Sequence, residues 1–159
     1  MADMGQAGAP APGTAGFSIN KIYIKDLSLE NPGAPQSFRQ ELAPQVEVGL
    51  RTSSEQLEPD IYETVLTITL TAKAGDKTLF LVEAAQAGVF TIRGVPPEHM
   101  QGVLAVHCPT VLFPYVREAI ADAVGRAGFP PVHLDPINFE ALYTEQRAKL
   151  SPQPAAAVN

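Results

Sequence analysis

The sequence has a single cysteine among its 159 residues, which excludes an intramolecular disulfide and favours a reducing compartment. Basic residues are few as well: 11 Lys and Arg stand against 17 Asp and Glu, so the net charge is −6. A nucleic-acid-binding surface needs a basic patch, so we do not expect nucleic acid as a partner. No run reaches the roughly 18 apolar residues of a membrane span, and the amino terminus lacks the order of a signal peptide. These absences predict a cytoplasmic protein without direct membrane insertion.

The composition that remains is that of one folded domain with two unstructured ends. Hydrophobic residues make up 45% of the chain and charged residues 18%, which is typical of globular proteins. Residues 1–16 consist largely of Ala, Gly and Pro, and residues 151–159 have a similar composition. Such segments offer little side-chain surface to bury, so we expect a flexible head and a flexible tail. The domain is therefore predicted to span residues 17–150.

Four segments in the first two thirds of the domain have the pattern of β-strands. Residues 17–30 alternate between apolar and polar side chains, with two isoleucines out of phase that indicate either cover on both faces or a bulge. Residues 46–51 and 62–73 alternate cleanly, and residues 79–92 are apolar on both faces. A long connection beginning at NPGAP (31–35) separates the first two strands, which predicts a crossover rather than a hairpin.

Three helical segments follow the strands, and the first is a short helix that opens at Pro96 and Pro97. Residues 107–126 have apolar side chains at three- and four-residue steps, and Asp122 and Arg126 form a favourable pair on the polar side. Asn138 is a suitable N-cap for a last helix. This order predicts an α+β fold, a four-stranded antiparallel sheet with helices on one face. Because the fourth strand is apolar on both faces, the surplus apolar surface indicates self-association or a partner.

No constellation of residues indicates catalysis or metal binding. Cys108 follows His107, but adjacent side chains point apart, and a buried cysteine next to a proline is the simpler interpretation. His99, His107, His133 and Cys108 lack the short spacings of a zinc site. Phosphate-binding glycine loops are also missing. We therefore expect neither an enzyme nor a cofactor, although a thiol enzyme centred on Cys108 remains a testable alternative.

Five segments of the chain are more specific than their periodicity alone. They are HCPTVLFPYVRE (107–118), IYIKDLSLENPGAP (22–35), YETVLTITLTA (62–72), FLVEAAQAGVFTI (80–92) and PINFEALY (136–143). In sequence, order and spacing they resemble the SecB family of bacterial protein-export chaperones, and the segment 107–118 does so most specifically. Two features depart from the family: His107 stands where an aromatic residue is expected, and the tail lacks the usual charged residues.

The resemblance implies a homotetramer, assembled as a dimer of dimers. It further implies a holdase that works without ATP, binds unfolded secretory preproteins and delivers them to the translocation ATPase SecA. The surplus apolar surface fits such an assembly, and we assign Val82, Val116 and Ile120 to its interface. Position by position, the resemblance implies SecA binding at Asp26, Glu30, Leu81 and Glu83. In the same way it implies client binding at Phe38, Leu42, Val46, Val48, Leu50, Leu142 and Tyr143.

Each of these assignments has a plainer alternative. Asp26 and Glu30 lie four residues apart on one strand, about 13 Å at the usual rise, and charges so placed are ordinarily solvated surface. The client-binding positions are ordinary core positions in the plainer interpretation, most plausibly at Val46 and Val48. The uncharged tail leaves a second function open, a SecB-like chaperone dedicated to a toxin–antitoxin pair.

Overall fold

The structure, a computed structural model, describes residues 15–41 and 43–151. It contains four strands, three α-helices, a short 3₁₀ turn and a π-helical turn, in the predicted order of strands first and helices last. The elements are β1 (Gly16–Glu30), the 3₁₀ turn (Gln36–Arg39), β2 (Gln45–Glu58), β3 (Ile61–Ala74), β4 (Lys77–Arg93), α1 (Pro97–Gly102), the π turn (Val103–His107), α2 (Cys108–Arg126) and α3 (Phe139–Leu150).

The strands form one antiparallel sheet in the order β1-β4-β3-β2. Because β1 and β2 lie at opposite edges, the segment between them crosses the sheet, as the long connection predicted. The β1–β4 pairing shifts register between Ile19 and Lys21 and again between Ile24 and Asp26. Of the two alternatives that the out-of-phase isoleucines left open, these irregularities support the bulge.

Helix α2 packs on one face of the sheet, over β4 and β3. The even-numbered residues of β3 from Leu66 to Ala72 are fully buried against it, and so are Leu112 and Val124 on the helix. Gly88 on β4 is also required for this contact, because a Cβ there would lie 2.7 Å from the Phe90 ring and 3.0 Å from a Leu112 methyl. The helices therefore cover a single face, here called the helix side, and the opposite face is called the open face.

The predicted subunit-interface residues lie inside this core. Val82, Val116 and Ile120 each have 0% exposure within the protomer. The sequence periodicity marked them correctly as apolar and inward-facing, but their partners are the sheet and helix of the same chain. A surface for another subunit must therefore use other residues, and the assignment of these three is corrected.

The helical region is continuous from Pro97 to Arg126, whereas the sequence predicted two separate helices. The π turn connects α1 to α2, and at its end the Cys108 N–H donates a backbone hydrogen bond to Val103 O. Pro109 follows at once, and its ring would collide with a carbonyl four residues earlier in a regular α-helix. The wider π turn accommodates that proline without ending the helix.

The second half of β2 was not predicted. Residues 52–58 are almost entirely polar, so the sequence pattern predicted that the strand ends near residue 51. In the structure β2 stays paired with β3 as far as Glu58. A polar strand is stable here because it is an edge strand whose stability comes from pairing with a well-buried neighbour. Asp60, with φ of 65°, makes the tight connection to β3.

The first and last elements of the described chain lie near the ends of the predicted domain. Gly16 already belongs to β1, one residue before the predicted start, and α3 ends at Leu150. Residues 1–14 of the predicted head and 152–159 of the predicted tail lie outside the described residues. Among the described helices, none has both the length and the hydropathy to cross a membrane.

Candidate functional site

An apolar strip runs along the helix side of edge strand β2. Val46 pairs with Ala72 and Val48 with Leu70, and both partners on β3 are fully buried. The side chains on β2 itself are not buried in this way, since Val46 is 43% exposed and Val48 is 50% exposed. The hydrophobic surface of the core thus continues to the edge of the sheet and stays accessible there. We call Val46, Val48 and the half-buried Leu50 the β2 strip.

The crossover segment between β1 and β2 presents an aromatic side chain at the surface. Phe38 is 50% exposed, and its ring stacks on Phe129 at 5.2 Å, which in turn stacks on Phe80 at 4.8 Å. Gly128 permits this approach, since its φ is +93° and a Cβ there would lie 3.0 Å from the Phe38 ring. Asn31 anchors the segment by donating a 2.9 Å hydrogen bond to Ala127 O. Phe38 is therefore held at the surface by aromatic contacts.

Helix α3 contributes the remaining predicted client-binding residues. Asn138 caps this helix, as predicted, by accepting a 3.0 Å hydrogen bond from Ala141 N. Leu142 and Tyr143 line a cleft of about 350 Å³ together with Leu50. Tyr143 also borders a larger groove of about 800 Å³, which lies between α3, the π turn and the start of β1. The structure thus joins Leu50 to α3 and places Val46 and Val48 next to it on the same strand, while Leu42 lies outside the described residues.

The four predicted SecA-binding residues share a patch of the open face. Glu30 on β1 lies directly opposite Leu81 on β4, and Ser28 lies opposite Glu83. Asp26 and Glu30 are exposed, and Leu81 and Glu83 are half-buried. Val82, which lies between Leu81 and Glu83, points to the helix side. Because side chains alternate along a strand, Leu81 and Glu83 point to the open face, and the register places Asp26 and Glu30 on that face with them. We call Asp26, Glu30, Leu81 and Glu83 the acidic face.

A second charged cluster on the open face is neutralised within the protomer. Glu63 on β3 accepts a 2.7 Å hydrogen bond from the Lys25 ammonium and another from the Tyr23 hydroxyl, both of which reach over β4. These two donors lower the pKa of Glu63, with the contact to Lys25 as the largest cause. The same hydrogen bond to Glu63 raises the pKa of Tyr23 to about 12. Sequence reasoning did not single out Glu63, because only the strand order brings residues 23 and 63 together.

The residues considered for catalysis and metal binding do not form a reactive site. Cys108 is fully buried, and burial raises the pKa of its thiol to about 11, a shift that a hydrogen bond with Thr64 only partly opposes. His107 packs edge-on against the Phe17 ring at 4.4 Å. Within the described residues, no three His, Cys, Asp or Glu side chains converge as metal ligands. Cys108 is a core residue and not a nucleophile poised for attack.

We expect native Cys108 to react slowly with iodoacetamide. Because the thiolate is the reacting species, a pKa near 11 and complete burial should slow labelling about a hundredfold or more relative to the unfolded chain. Mass spectrometry of the chain labelled at neutral pH, with and without denaturant, measures this ratio. Equal rates in the two conditions would revive the thiol-enzyme alternative.

Comparison with known proteins decides between the chaperone and the enzyme interpretations. The family model described as SecB, preprotein translocase subunit SecB, matches residues 11–150. The chain belongs to the SecB family. A protein-export protein SecB from Methylobacillus flagellatus is 59% identical over 131 residues, which cover 82% of this chain and 83% of the relative. The SecB of Chromobacterium violaceum is 53% identical over 84% of this chain and 89% of its own.

Membership in the SecB family confirms the predicted function as a protein-export chaperone, not an enzyme. Among solved structures, a SecB-like chaperone from Mycobacterium tuberculosis, in complex with a ChAD peptide from an antitoxin, matches with a TM-score of 0.64. That match is 16% identical and covers 76% of this chain and 90% of the other. It supports the SecB-like fold, a four-stranded antiparallel sheet with helices.

Proposed function

We propose that this SecB-family chain binds unfolded secretory preproteins in the cytoplasm without ATP and delivers them to SecA. The observation that carries the proposal is the β2 strip, a hydrophobic surface that is continuous with the core and remains accessible at a sheet edge. Export is favoured over service to a toxin–antitoxin pair because relatives at 53–59% identity are protein-export proteins. The antitoxin-bound structure is far more distant, at 16% identity.

The exposed apolar residues suit a client without fixed structure. Val46 and Val48 lie on an edge strand whose outer backbone groups pair with no strand among the described residues. An extended peptide can pair with such an edge, as in recognition by β-strand addition. Phe38 and Tyr143 add aromatic surface to this side of the molecule, in the crossover segment and on α3. Each contact with an unfolded chain is weak, but several such surfaces in one assembly convert weak contacts into high avidity.

The acidic face suits a partner with basic groups. Its three carboxylates surround one half-buried leucine, and no ion pair within the described residues involves them. Uncompensated charge of one sign steers a basic partner toward the patch and fixes its orientation. Because the β2 strip and the acidic face lie on opposite sides of the sheet, one protomer can hold a client and contact SecA at the same time.

A dimer of dimers would cover the apolar surface that the protomer leaves open at β1. On the helix side of this edge strand, Ile24 is 43% exposed and Leu27 47% exposed, and Tyr115 on the outer side of α2 is 50% exposed. Ile24 and Tyr115 border the same shallow depression. We assign the interface between subunits to these residues. Four chains of charge −6 would carry −24, which favours solubility of an assembly with exposed apolar strips.

Replacing Tyr115 with Lys is expected to dissociate the assembly while each protomer stays folded. The added charge would be buried at the interface in the tetramer but solvated in the smaller species, so the equilibrium shifts toward dimers or monomers by several kcal/mol. Light scattering coupled to size-exclusion chromatography reports the mass, and circular dichroism reports the fold.

The neighbouring residue supplies the contrast for this test. Val116→Lys places the same charge in the protomer core, where Val116 has 0% exposure, and should unfold the chain rather than dissociate it. A parent chain that runs as a monomer at micromolar concentration, or a folded tetramer formed by the Tyr115→Lys variant, would contradict this interface.

The function as a whole is tested with an unfolded preprotein and purified SecA. The chain should suppress aggregation of the preprotein in the absence of ATP, and the complex should be captured by SecA in a pull-down. Suppression that requires ATP would contradict the proposal. Capture of the chain by an antitoxin but not by SecA would support the toxin–antitoxin alternative.

A further inference from the structure

Glu83 differs from the other two carboxylates of the acidic face because another side chain holds it. The Thr69 hydroxyl donates a 2.8 Å hydrogen bond to Glu83 Oε2. The two residues face each other directly in the β3–β4 pairing, so their side chains stand side by side on the open face. Both are half-buried, so neither side chain is as free as that of an exposed surface residue.

This hydrogen bond orders the carboxylate without neutralising it. A threonine hydroxyl is an uncharged donor, so it does not compensate the charge of the carboxylate, and no hydrogen bond to Oε1 is present among the described residues. Glu63 shows the opposite arrangement on the same face, since the Lys25 ammonium 2.7 Å away compensates its charge. The open face thus holds one carboxylate that is fixed but uncompensated and one whose charge is cancelled internally.

We propose that Thr69 is a positioning residue of the SecA docking surface, which pre-orders Glu83 for a basic group of the partner. The proposal rests on the proposed docking function of the acidic face. A free glutamate loses rotamer freedom when a partner immobilises it, and that loss weakens binding. Thr69 imposes the restriction in the unbound chaperone, because the hydroxyl and the carboxylate are already bonded there. No contact between Thr69 and the partner is required.

The test replaces Thr69 with Val, which preserves the β-branched shape but removes the hydroxyl. Isothermal calorimetry with SecA at low ionic strength should show about three- to tenfold weaker binding, the scale of immobilising one long side chain. Thr69→Ser retains the hydroxyl and should restore most of the affinity. Thr67→Val is the matched control, because Thr67 lies on the same strand and face and is opposite Ala85; it should bind SecA like the parent.

A double-mutant cycle separates positioning from a general effect on the sheet. In a Glu83→Ala background, Thr69→Val should cause no further loss of affinity, because no carboxylate remains to be ordered. An additional loss of SecA affinity in that background would overturn the positioning role alone. The same holds if Thr69→Val binds SecA like the parent while Glu83→Ala binds it more weakly. Parental affinity of Glu83→Ala itself would overturn the docking face and the positioning role together.

Discussion

Removing the two β1 carboxylates, Asp26→Ala together with Glu30→Ala, is expected to weaken SecA binding about tenfold at low ionic strength, mainly through a slower association rate. These residues are exposed on the open face and make no ion pair within the described part of the chain. Their charges therefore contribute little to folding and remain available for steering. Binding kinetics measured across a range of salt concentrations should show a flatter salt dependence for the variant than for the parent.

The control for this experiment removes the same charge elsewhere. Glu98 on α1 and Glu145 on α3 are both exposed and lie in the helix layer. Glu98→Ala with Glu145→Ala changes the net charge equally, so a specific docking face predicts nearly parental association for that pair. Equal losses of association rate in both variants would show that net charge alone causes the effect. Parental binding of SecA by the β1 variant would place the docking surface elsewhere.

The second large effect is expected in client binding. Val46→Thr with Val48→Thr keeps the shape and β-branching of both residues but introduces hydroxyl groups into the β2 strip. Losing apolar contact at two side chains should weaken the binding of an unfolded preprotein about tenfold per site. The loss should be larger wherever several sites of one assembly act together. Aggregation suppression and fluorescence titration with an unfolded preprotein measure the change.

The same substitution on the other face provides the matched control. Val65 and Val89 are half-buried on the open face, and replacing both with Thr alters the sheet chemically in the same way. Circular dichroism, light scattering and SecA binding should be unchanged in the β2 variant, because its substitutions are far from the acidic face. A β2 variant that protects the preprotein as well as the parent would move the client site off β2.

Regular elements were predictable from the sequence because local patterning specified them. The alternation in residues 62–73 corresponds to β3, the out-of-phase isoleucines correspond to the β1 bulges, and Asn138 caps α3 as expected. The polar half of β2 was missed for the complementary reason. Its residues bury little, so their strand conformation depends on pairing with β3 and leaves no apolar pattern in the sequence.

The sequence did not predict which surface covers a buried apolar residue. The periodicity of α2 identifies an inward stripe but does not say whether the covering surface belongs to the same chain or to another. The structure assigns Val116 and Ile120 to the core of the protomer and leaves Tyr115, beside them in sequence, half-exposed. Hydrophobic burial is non-directional, so a sequence records that a side chain avoids water without recording its partner.

By itself, the sequence determined the α+β class, the order of the elements, the family and the residue types of the two surfaces. Only the tertiary structure decided which residues share those surfaces. The register between β1 and β4 brings Glu30 opposite Leu81, and the register between β3 and β4 brings Thr69 opposite Glu83. A strand's side-chain period is two, so a shift of one residue would send either carboxylate to the helix side. That register is set by long-range pairing and core packing, which no local pattern encodes.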